Sequence, residues 1–328
     1  MKSYNEILSD VTKTATKIPQ SDYLDTGKYR IFDQGKEYSV GFSNDEQGVV
    51  SDYPYIIFGD HTRVVKYVNE PCFIGADGVK LLKVINKDFN PRFVYYNILA
   101  KPIENQGYAR HFKFLKEIQF TEKTLSVQTN IVTELDTIQS AIDNKKQQLS
   151  LLDEAVKSRF IEMFGDPVQN PMGWKKTELG NLCKEVRYGT SKPASENGKY
   201  TYLRMNNITY EGELDLTNIK SIDISEDELP KCSVRKGDVL FNRTNSIELC
   251  GKTCLYKLDK TMVIAGYIIR VRVSEKLNPQ YVSTLFNTKS IKKLLREMAK
   301  GAVNQANINA QEMQSIQIPV PPISLQIK

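Results

Sequence analysis

The side chains of this sequence that are best suited to chemistry lie in short polar runs rich in arginine, asparagine and hydroxyl groups. In the major groove of DNA, arginine can pair with guanine and asparagine with adenine through two hydrogen bonds each. Serine, threonine and lysine instead bind phosphates and fix the register of a protein on a duplex. The residues that we predict to contact nucleic acid are His61, Thr62, Arg63, Lys80, Arg187, Lys192, Arg204, Asn206, Asn242, Arg243 and Asn245. The alternative is that these runs are simple turns, because asparagine, glycine, serine and threonine also favour turn conformations.

Motifs for catalysis on DNA are incomplete. The tetrads Asn-Pro-Arg-Phe at 90–93 and Asn-Pro-Gln-Tyr at 278–281 lack the second proline of the Asn/Asp-Pro-Pro-Tyr/Phe motif with which methyltransferases bind their target amino group. The run at 73–78 is one glycine short of a cofactor-binding turn. The sequence contains no Glu-x-Lys triplet of the nuclease type and no Gly-x-x-x-x-Gly-Lys-Ser/Thr phosphate loop. We therefore predict no catalytic residue.

Metal binding is disfavoured by the composition. The chain has 2 histidines and 5 cysteines, and Cys250 and Cys254 are the only close pair of cysteines. A structural zinc site needs four such ligands, so we predict no metal site. An odd number of cysteines without a secretory context is typical of reduced, structural thiols.

The positive charge of the chain is concentrated in its second half. The formal net charge is +6, and residues 171–328 carry 24 Lys/Arg against 16 Asp/Glu, a net charge of +8. A basic surface of this kind suits a polyanionic partner, because neutralising phosphates releases counterions; a solvated basic surface is the alternative. The longest uncharged apolar run has eight residues, whereas a membrane helix needs about 20. With no apolar core of a secretory signal near Met1, the sequence predicts a cytoplasmic protein without a membrane partner.

Short matches recur in the same order in the two halves of the chain. Gly-Lys-Tyr at 27–29 returns at 198–200, an offset of 171, and the Asn-Pro pairs at 90 and 278 are 188 residues apart. Ser-Val-Gln at 126–128 returns as Ser-Leu-Gln at offset 198. An offset that only grows predicts a tandem duplication whose second copy gained loop residues. Because each copy combines strand-like runs with short helices, we predict an α+β fold.

Between the copies, the pattern of apolar residues predicts one long helix. Residues 124–163 contain no glycine or proline, and Gly-Asp-Pro at 165–167 ends the pattern. The seam, as we call its apolar positions, follows the spacing of a coiled coil with one interruption. The seam consists of Ile131, Leu135, Ile138, Ile142, Leu149, Leu152 and Val156. The alternative is an ordinary amphipathic helix packed on one domain.

Several segments together resemble the specificity (S) subunit of type I restriction–modification systems. They are Lys-Gly-Asp-Val-Leu-Phe-Asn-Arg at 236–243, Phe-Gly-Asp-His-Thr-Arg at 58–63, Gly-Trp-Lys-Lys-Thr-Glu-Leu-Gly at 173–180, and the closing segments at 302–309 and 318–326. The similarity covers essentially the whole chain. It implies two tandem homologous target-recognition domains at 1–122 and 166–323, joined by a long coiled-coil-type helix at 123–165. The family has a second long helix, which would start at 324–328.

The resemblance also implies a function and partners. It implies a non-catalytic reader of a bipartite double-stranded DNA sequence, with methyltransferase subunits docked on the helix and restriction subunits joining through them. S-adenosylmethionine and ATP would be bound by those partner subunits and no cofactor by this chain. Because no second heptad segment is present in the sequence, we expect the seam to be covered by a second copy of the chain or by a methyltransferase subunit. A methyltransferase–specificity fusion and a coiled-coil adaptor without DNA function remain as alternatives.

Overall fold

The computed structural model describes residues 1–75, 77–107, 109–302 and 305–328. Ala76 of the run at 73–78, and Val303 and Asn304 of the segment at 302–309, lie outside the described residues. The chain divides into two compact units, Met1–Gln147 and Gln148–Lys328. Both units combine helices with sheets, so the predicted α+β class is confirmed.

The first unit contains two small sheets. Its strands are β1 (Leu8–Asp10), β2 (Tyr29–Phe32), β3 (Gly41–Ser43), β4 (Tyr55–Gly59), β5 (Val65–Val68), β6 (Cys72–Ile74) and β7 (Val79–Val84). Its short helices are α1 (Tyr4–Ile7), α2 (Pro91–Leu99) and α3 (Phe112–Leu115), with 3₁₀ turns at Thr12–Thr14 and Gln20–Asp22. One sheet has the antiparallel order β1-β7-β4-β5, and the other has the order β3-β2-β6, in which β2 and β6 are parallel.

The predicted long helix forms as α4 (Leu125–Phe164), and the division between the two units falls inside it. Its beginning is held by the first unit. Asp136 accepts a 2.8 Å hydrogen bond from Nε of Arg92, and Ile131 packs against the core of that unit. Ile131 is therefore half-buried against the core of its own unit, and Leu135 is half-buried as well. These two positions of the predicted seam are already partly covered within the chain, so the open part of the seam lies farther along the helix.

The end of α4 is held by the second unit. The rings of Phe160 and Phe164 lie 5.5 and 4.9 Å from the ring of Tyr281, measured between centroids. Between the two packed ends, the large apolar side chains of the helix face solvent. Those that are 44–63% exposed are Ile138, Ile142, Leu149, Leu151, Leu152 and Val156. Leu151 was not part of the predicted seam.

The second unit has more strands than the first. They are β8 (Lys176–Glu178), β9 (Cys183–Tyr188), β10 (Tyr200–Leu203), β11 (Lys220–Ile222), β12 (Ser233–Val234), β13 (Val239–Asn242), β14 (Thr244–Asn245), β15 (Thr253–Leu255), β16 (Met262–Ile264), β17 (Ile268–Val273), β18 (Lys300–Ala302), β19 (Gln305–Asn307) and β20 (Gln317–Pro319). Its helices are α5 (Leu229–Cys232), α6 (Pro279–Phe286), α7 (Lys289–Met298), α8 (Ala310–Gln314) and α9 (Ile323–Gln326), with 3₁₀ turns at Leu179–Leu182 and Met205–Asn207. Residues 324–328, the predicted start of a second long helix, thus lie in and just after the short α9.

The two units share one strand order, as the predicted duplication requires. The sheet β9-β17-β13-β15 of the second unit is antiparallel throughout and matches β1-β7-β4-β5. The parallel pair β10–β16, flanked by the antiparallel β11, matches β2–β6 flanked by β3. The residues that lengthen the second copy include α5, β12 and the β18–β19 hairpin.

The Asn-Pro dipeptides that look like half of a methyltransferase motif are helix starts. The side chains of Asn90 and Asn278 each accept a 2.8 Å hydrogen bond from a backbone N–H in the first turn of α2 and α6, and the proline occupies the first position of the helix. Asparagine before the helix and proline at its first position are both favoured at helix N-termini. The asparagine side chain satisfies an unpaired backbone N–H, and proline has no backbone N–H that would need a partner.

A buried glutamine closes the same turn in both units. In the first unit, Oε1 of Gln128 accepts the N–H of Asn90 at 2.8 Å, and Nε2 donates to the carbonyls of Asp88 (2.7 Å) and Lys123 (2.8 Å). In the second unit, Gln326 makes the corresponding three bonds. Their partners are the N–H of Asn278 (2.8 Å) and the carbonyls of Lys276 (3.1 Å) and Pro321 (2.7 Å). The sequence offsets of 188 and 198 therefore connect equivalent positions.

We expect Gln128→Leu to lower the free energy of unfolding by about 1–3 kcal/mol, because the N–H of Asn90 and two carbonyls lose their partner in a buried position. Denaturant unfolding checks this value. The matched control is Gln139→Leu on the same helix, because the exposed amide of Gln139 donates to the side chain of Asp143 at 3.0 Å. This substitution should change the free energy of unfolding by less than about 0.5 kcal/mol. Equal effects of the two substitutions would contradict a structural role for the buried amide.

Candidate nucleic-acid interface

Polar side chains of the second unit gather at one end of the sheet β9-β17-β13-β15. Strands β9 and β13 end there and β17 begins there, since Tyr188 lies opposite Ile269 and the N–H of Arg243 donates to the carbonyl of Tyr267 at 2.9 Å. The turn at Met205 joins them, because its carbonyl accepts hydrogen bonds from the side chains of Asn242 and Lys252. This sheet end, as we call it, includes the predicted residues Arg204, Asn206, Arg243 and Asn245. Arg187 lies beside it in the sequence, but its side chain pairs with Glu185 on the other face of β9 from Tyr188.

Arg243 is the best positioned cation of the sheet end. Its guanidinium carbon lies 5.0 Å from the ring centroid of Tyr188, a cation–π distance. The hydroxyl of Tyr188 accepts the N–H of Ala310 at 2.8 Å, which fixes the ring. Nε of Arg243 is buried without a hydrogen-bond partner, and no carboxylate of the described residues pairs with the guanidinium.

The other predicted cations of this unit have partners. Arg187 pairs with Glu185 at 3.2 Å, and Nη2 of Arg204 donates to the carbonyl of Asn218 at 3.2 Å. Lys192 pairs with Glu228, and this hydrogen bond raises the pKa of the lysine. These side chains remain at the surface, but a nucleic acid would have to compete with groups already bound.

The predicted asparagines differ in their access to solvent. Asn206 is exposed, and Asn245 is half-buried with its Oδ1 accepting the N–H of Ser246 at 2.9 Å. Asn242 is fully buried, since its Nδ2 donates to the carbonyl of Met205 at 3.4 Å and its Oδ1 accepts the N–H of Thr244 at 3.2 Å. The prediction of a nucleic-acid contact at Asn242 was wrong: its amide holds the turn that presents its neighbours.

Three predicted residues of the first unit lie in one turn at the equivalent end of its sheet. His61 and Thr62 are exposed in the turn after β4. Arg63 has a left-handed backbone (φ 63°), and its Nη1 donates to the carbonyl of Ile103 at 3.2 Å. Lys80 lies 3.4 Å from a carboxylate oxygen of Asp10 and packs over the ring of Phe112. His61 is therefore the open side chain of this turn, because the hydroxyl of Thr62 already donates to the carbonyl of Gln34.

Buried charges hold the strands that carry the sheet end. Arg270 is fully buried, and its Nη2 lies 3.0 Å from Oε2 of Glu185, the same oxygen that Arg272 contacts at 2.7 Å. Asp238 completes the group at 2.8 Å from Nε of Arg272. Burial by itself would raise the pKa of Glu185, but the positive charges of Arg270 and Arg272 and hydrogen bonds from Arg187 and Arg272 outweigh it and lower that pKa.

Sequence reasoning missed the aromatic part of the surface. Tyr188 and Tyr267 are 43% and 52% exposed and flank Arg243, one through its ring and the other through its backbone carbonyl. The sequence feature that could have indicated this surface is Arg-Tyr-Gly at the end of a predicted strand, because a tyrosine at a strand end is not needed to pack the core.

The structure offers no grouping that would bind a metal within the described residues. All five cysteines are free, and burial raises the pKa of Cys254 to about 12. Within the described part of the chain, no helix has the length and apolar character that crossing a membrane demands.

Comparison with known proteins finds a family match over slightly less than half of the chain and several similar proteins. Residues 171–328 match the family described as the type I restriction modification DNA specificity domain. The chain is 24% identical over 218 residues to the EcoKI specificity subunit of Escherichia coli K12, with 62% of this chain and 47% of that protein covered. It is also 24% identical to the EcoR124I/EcoR124II specificity subunit of Escherichia coli, with 97% and 83% covered. The chain spans about half the length of the EcoKI relative.

A solved structure shows the same fold. The type I restriction–modification S subunit of M. genitalium superposes with a TM-score of 0.58 at 13% identity, covering 99% of this chain and 85% of that one. In this chain, the match to the specificity domain lies in the second of the two sheet-rich units. The chain is thus similar to type I restriction–modification specificity subunits, which agrees with the resemblance seen in its sequence.

Proposed function

We propose that this chain is the non-catalytic DNA-recognition subunit of a type I restriction–modification complex, in which each unit reads one half of a bipartite double-stranded target. The observation that carries the proposal is the sheet end of the second unit, where Arg243 presents a guanidinium without a carboxylate partner among the described residues. The net charge of +8 in residues 171–328 supports a polyanionic partner. The names of the relatives, all specificity subunits, agree with this function.

We further propose that methyltransferase subunits dock on α4 and that restriction subunits join through them. Five of the exposed apolar side chains of α4 (Ile138, Ile142, Leu149, Leu152 and Val156) share one face and form a stripe of a kind that soluble monomers rarely leave open, whereas Leu151 lies on the other side of the helix. Half-burying five such side chains is worth about 4–8 kcal/mol before the cost of association is subtracted. S-adenosylmethionine and ATP are then bound by the partner subunits. A second copy of this chain with its helix antiparallel is the other occupant that an assembly experiment would detect.

A mobility-shift selection on random-sequence duplexes tests the proposal. The full chain is assayed alone and after co-expression with a type I methyltransferase subunit, and the bound duplexes are sequenced. We expect enrichment of a target with two separated specific parts. Sequence-independent binding, or none in either form, would favour the coiled-coil adaptor, and methyl transfer by the chain alone would favour a fusion enzyme.

Replacing Lys192 by alanine tests a phosphate contact at the surface of the second unit. We expect the affinity for DNA to fall by the same factor for all sequences. The slope of the salt dependence should decrease by less than the amount that one full phosphate contact contributes, because Glu228 already neutralises part of the charge of Lys192. The measurement is the slope of log affinity against log salt concentration. A change in sequence preference instead would mean that Lys192 contacts a base.

A further inference from the structure

We propose that Arg243 reads one guanine of the target through its two terminal nitrogens, and that Tyr188 is the residue that positions it. This inference rests on the proposed function and names the base that the second unit recognises. It also adds Tyr188, whose ring has no other assigned role.

The backbone of Arg243 is fixed on both sides at the end of a buried strand. Its N–H donates to the carbonyl of Tyr267 and its carbonyl accepts the N–H of Ile308, both at 2.9 Å. The sulfhydryl of Cys250 donates to the same carbonyl at 3.3 Å. The Cα of Arg243 therefore has little freedom, and the direction in which its side chain leaves the sheet end is set.

The side chain is oriented by the tyrosine ring. The guanidinium carbon lies over the ring of Tyr188 at 5.0 Å, and the hydroxyl of that ring is held by the N–H of Ala310. A guanidinium held over a fixed ring by a cation–π contact is restricted before any ligand arrives, so less conformational entropy is lost on binding.

The donors that remain point to a base with two acceptors. Nε is buried without a partner, so the terminal nitrogens alone can reach a ligand. Guanine offers O6 and N7 side by side in the major groove, and arginine binds this pair with two parallel hydrogen bonds. Arg187, Arg204 and Lys192 each already bind an acceptor, which leaves Arg243 as the unengaged arginine among the predicted residues that the structure describes.

The first unit has no counterpart of this arginine. The residue of the first unit that is equivalent to Arg243 is Asp60. Its backbone makes the corresponding two bonds, since its N–H donates to the carbonyl of Gly78 and its carbonyl accepts the N–H of His111. The carboxylate of Asp60 is buried and accepts the N–H of Phe112 at 2.8 Å. The guanine contact is therefore expected in one half of the target only.

The test replaces single guanines of the selected duplex by 7-deazaguanine, which lacks the N7 acceptor but keeps normal base pairing. The full chain is used in the form that shows specific binding. We expect one guanine, in the half read by the second unit, at which the replacement weakens wild-type binding about tenfold or more. Arg243→Ala should bind the normal duplex more weakly by a similar factor and should no longer respond to 7-deazaguanine at that position. Arg235→Ala, which removes an exposed arginine of the second unit outside the predicted contact residues, is the matched control and should keep the full response.

The role of Tyr188 is tested by the same response. In Tyr188→Leu, we expect 7-deazaguanine at that guanine to weaken binding less than it does in the wild-type chain. Tyr188→Phe keeps the ring and should therefore show most of the wild-type response to 7-deazaguanine. If Tyr188 had only a structural role, replacing it would weaken binding to the normal and the 7-deazaguanine duplexes equally. Specific binding in which no guanine depends on Arg243 would overturn this inference and leave the proposed function standing, whereas a wild-type chain without sequence preference would overturn both.

Discussion

The double substitution Leu149→Glu with Leu152→Glu, on the exposed side of α4, is expected to prevent the chain from assembling with a methyltransferase subunit or with a second copy of itself. Both leucines are more than 60% exposed in the chain, so the substitutions should leave its own melting temperature nearly unchanged. In an assembly they would place two unpaired charges against an apolar surface and remove two apolar contacts. We expect a loss of about 3–5 kcal/mol, which is a hundredfold or more in affinity. Co-purification with a methyltransferase subunit and sedimentation of the chain alone measure it.

The control for this pair of substitutions adds the same charge elsewhere on the helix. Gln147→Glu with Ser150→Glu lies on polar, exposed positions of α4, and we expect assembly to persist. If the leucine variant also assembles normally, the docking surface does not include the seam. If the wild-type chain alone sediments as a dimer that the leucine variant loses, a second copy occupies the seam.

Glu185→Gln is expected to lower the stability of the second unit strongly. Glu185 is the carboxylate nearest to Arg270, a fully buried cation, and it also pairs with Arg272. Removing one partner of a buried ion pair typically costs about 3–5 kcal/mol, and we expect the lower end of this range because Arg270 keeps its hydrogen bonds to the carbonyls of Pro230 and Ser233. Urea unfolding followed by the fluorescence of Trp174, which lies in this unit, measures the change.

The same carboxylate predicts how stability depends on pH. Because the pKa of Glu185 is lower in the folded chain than its usual value of 4.5, its contribution is complete above that value and is lost as the pH falls through the folded pKa. The wild-type second unit should therefore lose stability in acid, and the glutamine variant should lose less on acidification from its lower starting point. An identical pH dependence in both proteins would show that Glu185 stays neutral or unpaired.

The control for the ion pair is a carboxylate at the surface. Glu226 pairs with Lys199 at 3.5 Å, but its side chain is 87% exposed. Glu226→Gln should change the free energy of unfolding by no more than about 0.5–1 kcal/mol, because solvent screens such pairs.

Local patterns in the sequence were sufficient for the elements and for the duplication. A continuous stretch without glycine or proline was enough to predict α4, and two Asn-Pro dipeptides marked the starts of α2 and α6 because capping is a local property. Repeated tripeptides at growing offsets identified equivalent positions, which the paired Gln128 and Gln326 networks confirm. The family resemblance followed from the order of such segments.

The sequence by itself determined the fold class, the long helix, the repeat and the absence of a complete catalytic motif. Only the tertiary structure decided which predicted side chains are open to a ligand. Asn242 and Arg243 are adjacent and both suit a base, yet one is buried in a turn and the other stacks on Tyr188, a residue 55 positions away. Ile131 and Leu149 share one apolar pattern, yet only the first is covered by its own unit. The physical reason is the same in both cases: burial and pairing depend on neighbours brought together by strand order, and residue type and local spacing carry no information about them.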